Sequence, residues 1–332
     1  MSKKWFAITS TSVALVLAAA LAGTAAGKPA TTQRSTAGVT LGFSQVGSES
    51  GWRTANTKSI QSSAKAAGIS LKFSDAQQKQ ENQIQAIRSY IQQHVDVIAF
   101  SPVVASGWDA VLQEAKRAKI PVILTDRAVK VSDPSLYETF LGSDFVKEGR
   151  LVGEWLVQNA STADVNGDGN INVVQIEGTT GSAPAIDRKT GFENAIKADP
   201  KIKVIASQTG DFTRDGGKQV METFLKTQKN IDVLFAHNDD EGLGALEAIK
   251  AAGLTPGKDI KIMTIDAVHD GLTALSKGEF NFVAECSPLL GPQLMDLAKQ
   301  VVKGKKVPKR VVTVETTFTQ ESATKALPTR KY

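Results

Sequence analysis

From residue 39 onward, the pattern of hydrophobic and polar residues divides the chain into two kinds of segment that alternate. Short, continuous apolar runs rich in β-branched residues are typical of strands that are buried on both faces of a parallel sheet. Longer segments between them repeat their apolar residues at helical spacing. The first half of the chain therefore predicts strands at 39–44, 69–74, 95–100 and 121–126, separated by helices near 52–67, 80–93 and 106–118.

The same alternation restarts after a helix predicted near 144–160. It predicts strands at 171–176, 202–208, 231–236, 260–265 and 281–285, with helices near 184–198, 214–227, 241–252 and 268–276. An internal echo links the halves, because "HVDVIAFSP" (94–102) and "NIDVLFAHN" (230–238) share one order of polar and apolar positions. The pattern predicts an α/β protein with two similar doubly wound parallel-sheet domains and a cleft between them.

The first 38 residues have a different character. "MSKK" is a short positive head, and "WFAITSTSVALVLAAALAG" (5–23) is an apolar run that ends in small residues. We predict a signal peptide at 1–26, followed by a flexible leader at 27–38. "LAGT" (21–24) has Thr24 where a lipoprotein signal needs Cys. We expect export to the periplasm or the extracellular, cell-surface side, without a lipid anchor at such a Cys.

Composition argues against a disulfide-stabilised protein and against a nucleic-acid-binding protein. The single cysteine, Cys286, cannot form an intramolecular disulfide. The net charge is +5, but Lys and Arg are interspersed with Asp and Glu. The densest basic run, "KGKKVPKR" (303–310), contains no aromatic residues, so a solvated turn is the better interpretation and no nucleic-acid partner is expected.

Polar and aromatic residues follow the predicted strands where each strand ends. They occur in "QVGSESGWR" (45–53), in Asp126-Arg127, in "EGTTGSAPAIDR" (177–188), in "GDFTR" (210–214), in "HND" (237–239), at Asp266 and at Glu285. Ligands of open parallel sheets bind at this edge. Carboxylate, amide and guanidinium groups each bond neighbouring hydroxyls, and Trp52 and Phe212 can cover the apolar faces of a ring. The set suits a sugar.

An enzyme is the weaker interpretation. His237 lies beside the predicted cleft but has no Ser or Cys nucleophile as an obvious partner. Cys286 ends a strand without a placed base. The adjacent carboxylates Asp239 and Asp240 leave glycoside hydrolysis open as an alternative.

Several stretches resemble the periplasmic sugar-binding proteins of ABC importers, of the ribose-binding type, with the galactofuranose-binding subgroup nearest. They are "GFSQVGSESGWR" (42–53), "QQKQENQIQAIRS" (77–89), "APAIDRKTGF" (183–192), "GDFTR" (210–214) and "AHNDD" (236–240). The resemblance implies the type I periplasmic binding protein fold. Two lobes, 39–142 plus 288–311 and 143–287 plus 312–332, would be joined by a three-strand hinge that includes "SPLLGP" (287–292).

The resemblance also implies the residues that bind the sugar. The first lobe would supply Ser50, Trp52, Arg53, Asp126 and Arg127. The second would supply Arg188, Phe212, Asn238 and Asp266, and Glu285 stands where ribose-type members carry a Gln near the hinge. We therefore expect a monomer that is not an enzyme, captures a monosaccharide and delivers it to a membrane ABC permease.

Two points stay open at this stage. Galactofuranose is the first expectation for the sugar and arabinofuranose the next, with ribose and pyranose galactose as alternatives. A secreted carbohydrate-active enzyme and a sugar-sensing module for a receptor are the alternative functions.

The loop "STADVNGDGNIN" (161–172) begins like a calcium loop of the EF-hand type, but Gln175 stands at its twelfth position. Glucose/galactose-binding relatives of this fold carry such a loop, closed by a carboxylate from a distant strand start. A structural Ca²⁺ and a metal-free turn are both consistent with the sequence. The ligands of the ion would be Asp164, Asn166, Asp168, Asn170, Asn172 and Asp232.

Overall fold

The structure of the protein is a computed structural model that describes residues 38–332. The signal peptide predicted at 1–26, and all but the last residue of the leader predicted at 27–38, lie outside the described residues. Within residues 38–332, no helix is long and apolar enough to cross a membrane.

The described chain folds into strands and helices in three successive segments. The first contains β1 (Thr40–Gln45), α1 (Gly51–Ala67), β2 (Ser70–Asp75), α2 (Gln80–Gln92), β3 (Val97–Phe100), α3 (Asp109–Arg117), β4 (Val122–Thr125) and β5 (Thr139–Gly142). The second contains α4 (Phe145–Gln158), α5 (Ala160–Ala163), β6 (Ile171–Glu177), α6 (Ala183–Ile196), β7 (Ile202–Thr209), α7 (Arg214–Thr227), β8 (Val233–Ala236), α8 (Asp239–Ala251), β9 (Lys261–Asp266), α9 (His269–Ser276) and β10 (Phe282–Glu285). The third contains α10 (Gly291–Val302), β11 (Arg310–Val312), β12 (Thr317–Phe318) and α11 (Gln320–Ala326).

These strands form two six-stranded sheets, in the orders β11-β5-β4-β3-β1-β2 and β12-β10-β9-β8-β6-β7. Every pairing between these strands is parallel except that of β10 with β12. The prediction of two doubly wound parallel-sheet domains is confirmed. We call the unit around the first sheet the N-terminal lobe and the other the C-terminal lobe. The chain passes between the sheets after β5, after β10 and after β11.

The central strands are buried because the sequence makes them apolar on both faces. All four residues of β3, β4 and β8 are buried. Helices cover both faces of each sheet, so each lobe has two apolar cores, one on either side.

Capped helix N-termini fix the direction of the backbone where it reaches the cleft. Ser50 caps α1 and Ser182 caps α6, each by accepting a hydrogen bond from a backbone N–H three residues later. Asn238 caps α8 in the same way. Gly149 of α4 lets α6 pack closely, because an added Cβ would lie 2.0 Å from the carbonyl oxygen of Arg188.

Candidate functional site

A small cavity lies between the lobes, at the carboxyl ends of both sheets. Its walls leave a space of about 20 Å³. That is room for about one water molecule. Its lining consists of Glu49, Ser50, Trp52, Arg53, Asp126, Arg127, Phe145, Pro184, Arg188, Phe212, Asn238, Asp266 and Cys286. Nine of the ten residues predicted to bind a sugar are among them.

In the N-terminal lobe, Arg53 is the centre of a buried ion network. Its Nη1 lies 2.8 Å from Asp126 Oδ2, and its Nε lies 3.0 Å from Glu49 Oε1. Burial opposes the charge of Arg53, but Asp126 and Glu49 outweigh burial and raise its pKa. Ser101 Oγ donates to the same Asp126 oxygen at 2.8 Å. The network fixes the side chains of Arg53 and Asp126 at the cavity wall.

Arg127 is the less neutralised guanidinium. Its Nη1 donates to the carbonyl of Val103 at 3.1 Å, and its guanidinium carbon lies 5.2 Å from the centre of the Phe212 ring in the opposite lobe. Burial, and then the nearby charge of Arg53, lower the pKa of Arg127 to about 10. Arg127 therefore remains a cation at neutral pH and contacts an aromatic face across the cleft.

In the C-terminal lobe, Arg188 has the corresponding central place. Its Nε donates to Glu148 Oε2 at 2.8 Å and its Nη1 to the carbonyl of His237 at 2.6 Å, while its Nη2 lies 3.6 Å from Asp266 Oδ1. The guanidinium also lies 5.2 Å from the centre of the Phe145 ring. A cation is thereby held rigidly at this wall.

Phe212 is positioned by its backbone rather than by its ring alone. Its φ is +62°, and its N–H donates to Glu241 Oε1 at 2.9 Å. Its carbonyl accepts from Asn238 Nδ2 at 3.1 Å. The ring packs on Gly178, where an added Cβ would lie 1.8 Å from the ring. This glycine is required for the ring to reach the cavity.

Three hydrogen bonds connect the walls of the cleft. Trp52 Nε1 donates to the carbonyl of Cys286 at 2.6 Å, in the segment that follows β10. The Gly51 N–H donates to Asp240 Oδ2 at 2.8 Å, and the Ala105 N–H donates to the carbonyl of Gly181 at 2.9 Å. The two lobes are therefore in direct contact around the cavity.

Glu285 lies outside the cavity, unlike the other predicted sugar-binding residues. Its Oε1 accepts from Arg330 Nη1 at 2.7 Å and from the Tyr332 hydroxyl at 2.9 Å, and its Oε2 accepts from the Thr316 N–H at 3.2 Å. Successive strand residues point to opposite sides. Cys286, the next residue, therefore lines the cavity in its place.

Four lining residues were not among the predicted ones: Glu49, Phe145, Pro184 and Cys286. Glu49 and Pro184 belong to the stretches 45–53 and 177–188, which follow predicted strands and contain predicted sugar-binding residues. Their closeness in sequence to those residues was the available signal. Phe145 begins α4, directly after the first crossover, and no pattern in the sequence marks it as a cleft residue.

The residues considered for catalysis do not converge. The His237 ring is buried against Phe235 and lies 3.4 Å from Gln175 Oε1, and burial lowers its pKa well below the usual value. Burial raises the pKa of the Cys286 thiol. Asp239 accepts from the Thr264 hydroxyl and from the Val268 N–H, so its carboxylate faces away from the cavity.

The predicted calcium loop contacts its distant carboxylate. Asn166 Nδ2 donates to Asp232 Oδ1 at 3.0 Å, and the Asn172 N–H donates to Asp232 Oδ2 at 2.8 Å. Asp164 accepts from three backbone N–H groups of the loop, and the Asp168 carboxylate accepts from Asn170. The oxygen donors fit Ca²⁺ chemically, but hydrogen bonds of the loop engage them. The calcium site stays a prediction.

Comparison with known proteins agrees with this fold and cleft. The family model for the periplasmic binding protein domain matches residues 41–306. The chain belongs to the family of periplasmic binding proteins, and the resemblance drawn from its sequence is confirmed.

Its relatives share most of its length. The chain is 50% identical over 297 residues to the galactofuranose-binding protein YtfQ of Escherichia coli, covering 88% of this chain and 92% of the relative. A Mycobacterium smegmatis structure in complex with β-D-fucofuranose is 63% identical with a TM-score of 0.86, covering 89% of this chain and 95% of that one. The binding protein of the arabinose ABC transporter from Shewanella, bound to α- and β-L-arabinofuranose, is 48% identical with a TM-score of 0.83, covering 88% and 96%.

Proposed function

We propose that the protein captures a monosaccharide in its furanose form between the two lobes and delivers it to an ABC permease. Relatives that are 48–63% identical bind galactofuranose, fucofuranose or arabinofuranose, according to their names and structures. Three guanidinium groups, three carboxylates and three aromatic rings line one cavity. Such groups bond sugar hydroxyls and cover the C–H faces of a sugar ring.

The observation that carries the proposal is a pair of buried polar atoms that form no hydrogen bond within the described part of the chain. They are Glu49 Oε2 and Arg127 Nε, which lies 3.7 Å from Asp126 Oδ2 in an ion pair, and both residues line the cavity. A buried polar atom without a partner costs about 1–3 kcal/mol. A sugar hydroxyl can donate to the carboxylate and accept from the guanidinium, which offsets both costs.

Binding follows from the division of the site between two lobes. Arg53, Asp126 and Arg127 belong to one lobe, and Arg188 and Asp266 to the other. A sugar that bonds both sets favours the conformation in which they face each other, because only that conformation offers all the contacts. The closed surface is then what the permease recognises.

The protein acts in this proposal as a binding protein and not as an enzyme. The thiol and the imidazole near the cleft are buried, and neither Asp239 nor Asp240 lines the cavity. One chain supplies both walls, so a monomer is sufficient. Incubation with aryl furanosides should release no aglycone, and sustained turnover would contradict this part of the proposal.

Among furanoses, galactofuranose is the first candidate and arabinofuranose the second. A thermal-shift screen with galactose, fucose, arabinose, ribose and glucose should raise the melting temperature only for sugars that populate the accepted ring form. NMR of the ¹³C-labelled sugar that remains bound then identifies the ring form. A bound pyranose would contradict the furanose assignment.

The site itself is tested by calorimetry on Asp126→Ala and Arg188→Ala. Each change removes one partner of a buried charged pair, and we expect affinity to fall by at least about tenfold, or 1.4 kcal/mol. Arg88→Ala is the matched control, because Arg88 forms an exposed ion pair with Glu114 at 2.9 Å on the surface of the same fold. Unchanged affinity in both site variants would contradict the proposed cavity.

We also propose that the loop at 161–172 binds a structural Ca²⁺. The support is the contact between Asp232, directly before β8, and the loop residues Asn166 and Asn172. This contact brings a carboxylate from another element to the acidic loop, as a calcium ligand set needs. Asn166 would turn its amide oxygen toward the ion and give up its hydrogen bond to Asp232.

Chelation tests this second proposal. Millimolar Ca²⁺ should raise the melting temperature of wild-type protein above its value in chelator, because only the folded state presents the ligand set. Asp164→Asn should remove this difference, while Asp211→Asn, in another exposed loop, should preserve it. Equal melting temperatures with and without Ca²⁺ would leave the loop a metal-free turn.

A further inference from the structure

A polar cluster with two buried members and one half-buried member lies where the chain crosses between the lobes. The three crossing segments contribute Ser143, Cys286 and Glu315. Ser143 Oγ donates to Glu315 Oε1 and lies 3.3 Å from Cys286 Sγ. Glu315 Oε1 also accepts from the Thr313 hydroxyl at 2.7 Å and from the Ser287 N–H at 3.1 Å. We call Ser143, Cys286 and Glu315 the hinge cluster.

Glu148 lies between the hinge cluster and the sugar cavity. It belongs to the first turn of α4 and is 2% exposed. Its Oε2 accepts from Arg188 Nε at 2.8 Å, whereas its Oε1 makes no well-formed hydrogen bond with any of residues 38–332. The nearby Cys286 thiol interacts with the carboxyl group and acts to lower its pKa. Ligand atoms of Glu148, Cys286 and Glu315 all lie within 4.8 Å of one another. The carboxyl group of Glu148 therefore bonds the cavity residue Arg188 through one oxygen and lies close to the hinge cluster.

We propose that Glu148 is a positioning residue for sugar binding, which holds Arg188 with one oxygen and carries a proton on the other, directed at the hinge cluster. This inference rests on the proposed function and deepens it. Arg188 is the guanidinium of the C-terminal lobe that lines the cavity. The proton gives Oε1 a role as donor, which removes the cost of leaving it unpaired in the interior.

Charge balance at the hinge favours that proton. The titratable and charged groups that act on Glu148 are Arg188 from α6, Glu315 from the β11–β12 crossing and Cys286 after β10; Asp266 of β9 shares Arg188. Burial raises the pKa of Glu148 to about 8, with Glu315 adding to the shift and Arg188 opposing it. Burial likewise raises the pKa of Glu315 and of Asp266. The single guanidinium of Arg188 cannot neutralise the carboxylates of Glu148, Glu315 and Asp266 together.

The direction of the pH effect follows from this arrangement. The folded-state pKa of Glu148 is raised to about 8 from a usual value of 4.5. The folded protein thus binds a proton more tightly than the unfolded chain, so its stability falls as pH rises from about 4.5 to about 8. Above that range Glu148 is an anion facing Glu315, which separates the crossing segments and weakens sugar binding.

Calorimetry against pH tests the role in binding. Wild-type affinity should decline between pH 7 and 9. Glu148→Gln, which can accept from Arg188 and donate to the hinge cluster, should retain affinity within about threefold at pH 7 and lose the decline. Glu148→Ala should bind at least about tenfold more weakly. Glu154→Gln, on the exposed side of α4, is the control and should keep both the affinity and the pH profile of wild type.

A measurement without sugar separates this inference from the proposed function. In chelator, the melting temperature of wild type minus that of Glu148→Gln should decrease from pH 5 to pH 8, because only wild type releases the Glu148 proton when it unfolds in this range. If wild type binds no sugar, the proposed function fails, and this comparison still tests the proton. A constant difference, a pH profile shared with Glu148→Gln, or Glu148→Ala that melts lower yet binds normally would each overturn the inference.

Discussion

Trp52 contributes to both lobes although it belongs to only one. It lies in the first turn of α1, in the N-terminal lobe, yet its ring packs in an apolar core of the C-terminal lobe and is 5% exposed. Its Nε1 donates to the carbonyl of Cys286 at 2.6 Å. The guanidinium of Arg53 lies 4.7 Å from its ring centre. The residue therefore links the sugar cavity, the hinge and the opposite core.

Trp52→Phe should weaken sugar binding by roughly five- to tenfold, because it removes a net hydrogen bond of about 1–1.5 kcal/mol between the lobes. Calorimetry with the sugar identified by the screen measures the change. Trp108→Phe is the control: Trp108 Nε1 donates to the carbonyl of Val104 at 2.7 Å, within the N-terminal lobe. That variant should melt at a lower temperature and keep its affinity. Equal losses of affinity in the two variants would contradict the special role of Trp52.

For individual residues, sequence reasoning predicted nine that line one cavity and missed one side-chain direction. The rule that ligands bind at the carboxyl ends of parallel strands singled out Asp126, Arg127 and Asp266. The same rule selected Glu285, which bonds to Arg330 and Tyr332 instead. The sequence cannot tell which of two successive residues at a strand end faces the cleft, because that depends on register and twist.

The N-terminus of α1 makes the second connection between the lobes. The N–H of Gly51, its first residue, donates to Asp240 Oδ2 at 2.8 Å, in the first turn of α8. A carboxylate is favoured at a helix N-terminus by the unpaired N–H groups and by the helix dipole. Arg214 Nη2 holds Asp240 from the other side at 3.1 Å and also contacts Asp270 at 3.2 Å. The hydrogen bond between Gly51 and Asp240 forms only while the lobes face each other.

Asp240→Ala should therefore destabilise the closed arrangement by about 0.5–2 kcal/mol, the usual range for a lost capping interaction. Stopped-flow tryptophan fluorescence should show faster sugar dissociation, with a smaller change in the association rate. Asp270→Ala is the control, because it also removes a partner of Arg214 but makes no contact with Gly51. Equal dissociation rates in wild type and Asp240→Ala would show that the contact contributes nothing to closure.

Elements with a strong apolar pattern were predictable, and elements without one were not. The continuous apolar runs of β3 and β4, and helix α3 between them, match the sequence expectation within a few residues. β11 and β12 contain only three and two residues, and the four residues of β5 (TFLG) are not a continuous apolar run. Such segments show no clear pattern, so only their pairing partners define them. Helix α10 was also missed, since it begins inside the stretch "SPLLGP" that was assigned to the hinge.

At the scale of the whole molecule, the contacts between the two lobes restrict how a ligand can enter the cavity. Three hydrogen bonds join the lobes around the small cavity, so a sugar ring would have to pass between walls that are in direct contact. A sugar therefore needs the lobes to separate and to close again less tightly around it. The sequence predicted two lobes and a cleft from their repeated βαβ pattern. It could not give the angle between them, because that angle depends on contacts such as Ala105 with Gly181, which no local pattern encodes.

A disulfide across the cleft tests the need for opening. A Cβ added at Gly181 would lie 3.9 Å from Val104 Cβ in the opposite lobe, close to the spacing of about 3.8 Å that disulfides prefer. Gly181 has a φ of +81°, so Cys there costs roughly 1–2 kcal/mol, which the cross-link can tolerate. Val104→Cys with Gly181→Cys, oxidised without sugar, should bind no sugar by calorimetry, and reductant should restore binding. Each single-cysteine variant, which like wild type retains the buried Cys286, should bind under both conditions. Normal sugar uptake by the oxidised double variant would show that the ligand enters without separation of the lobes.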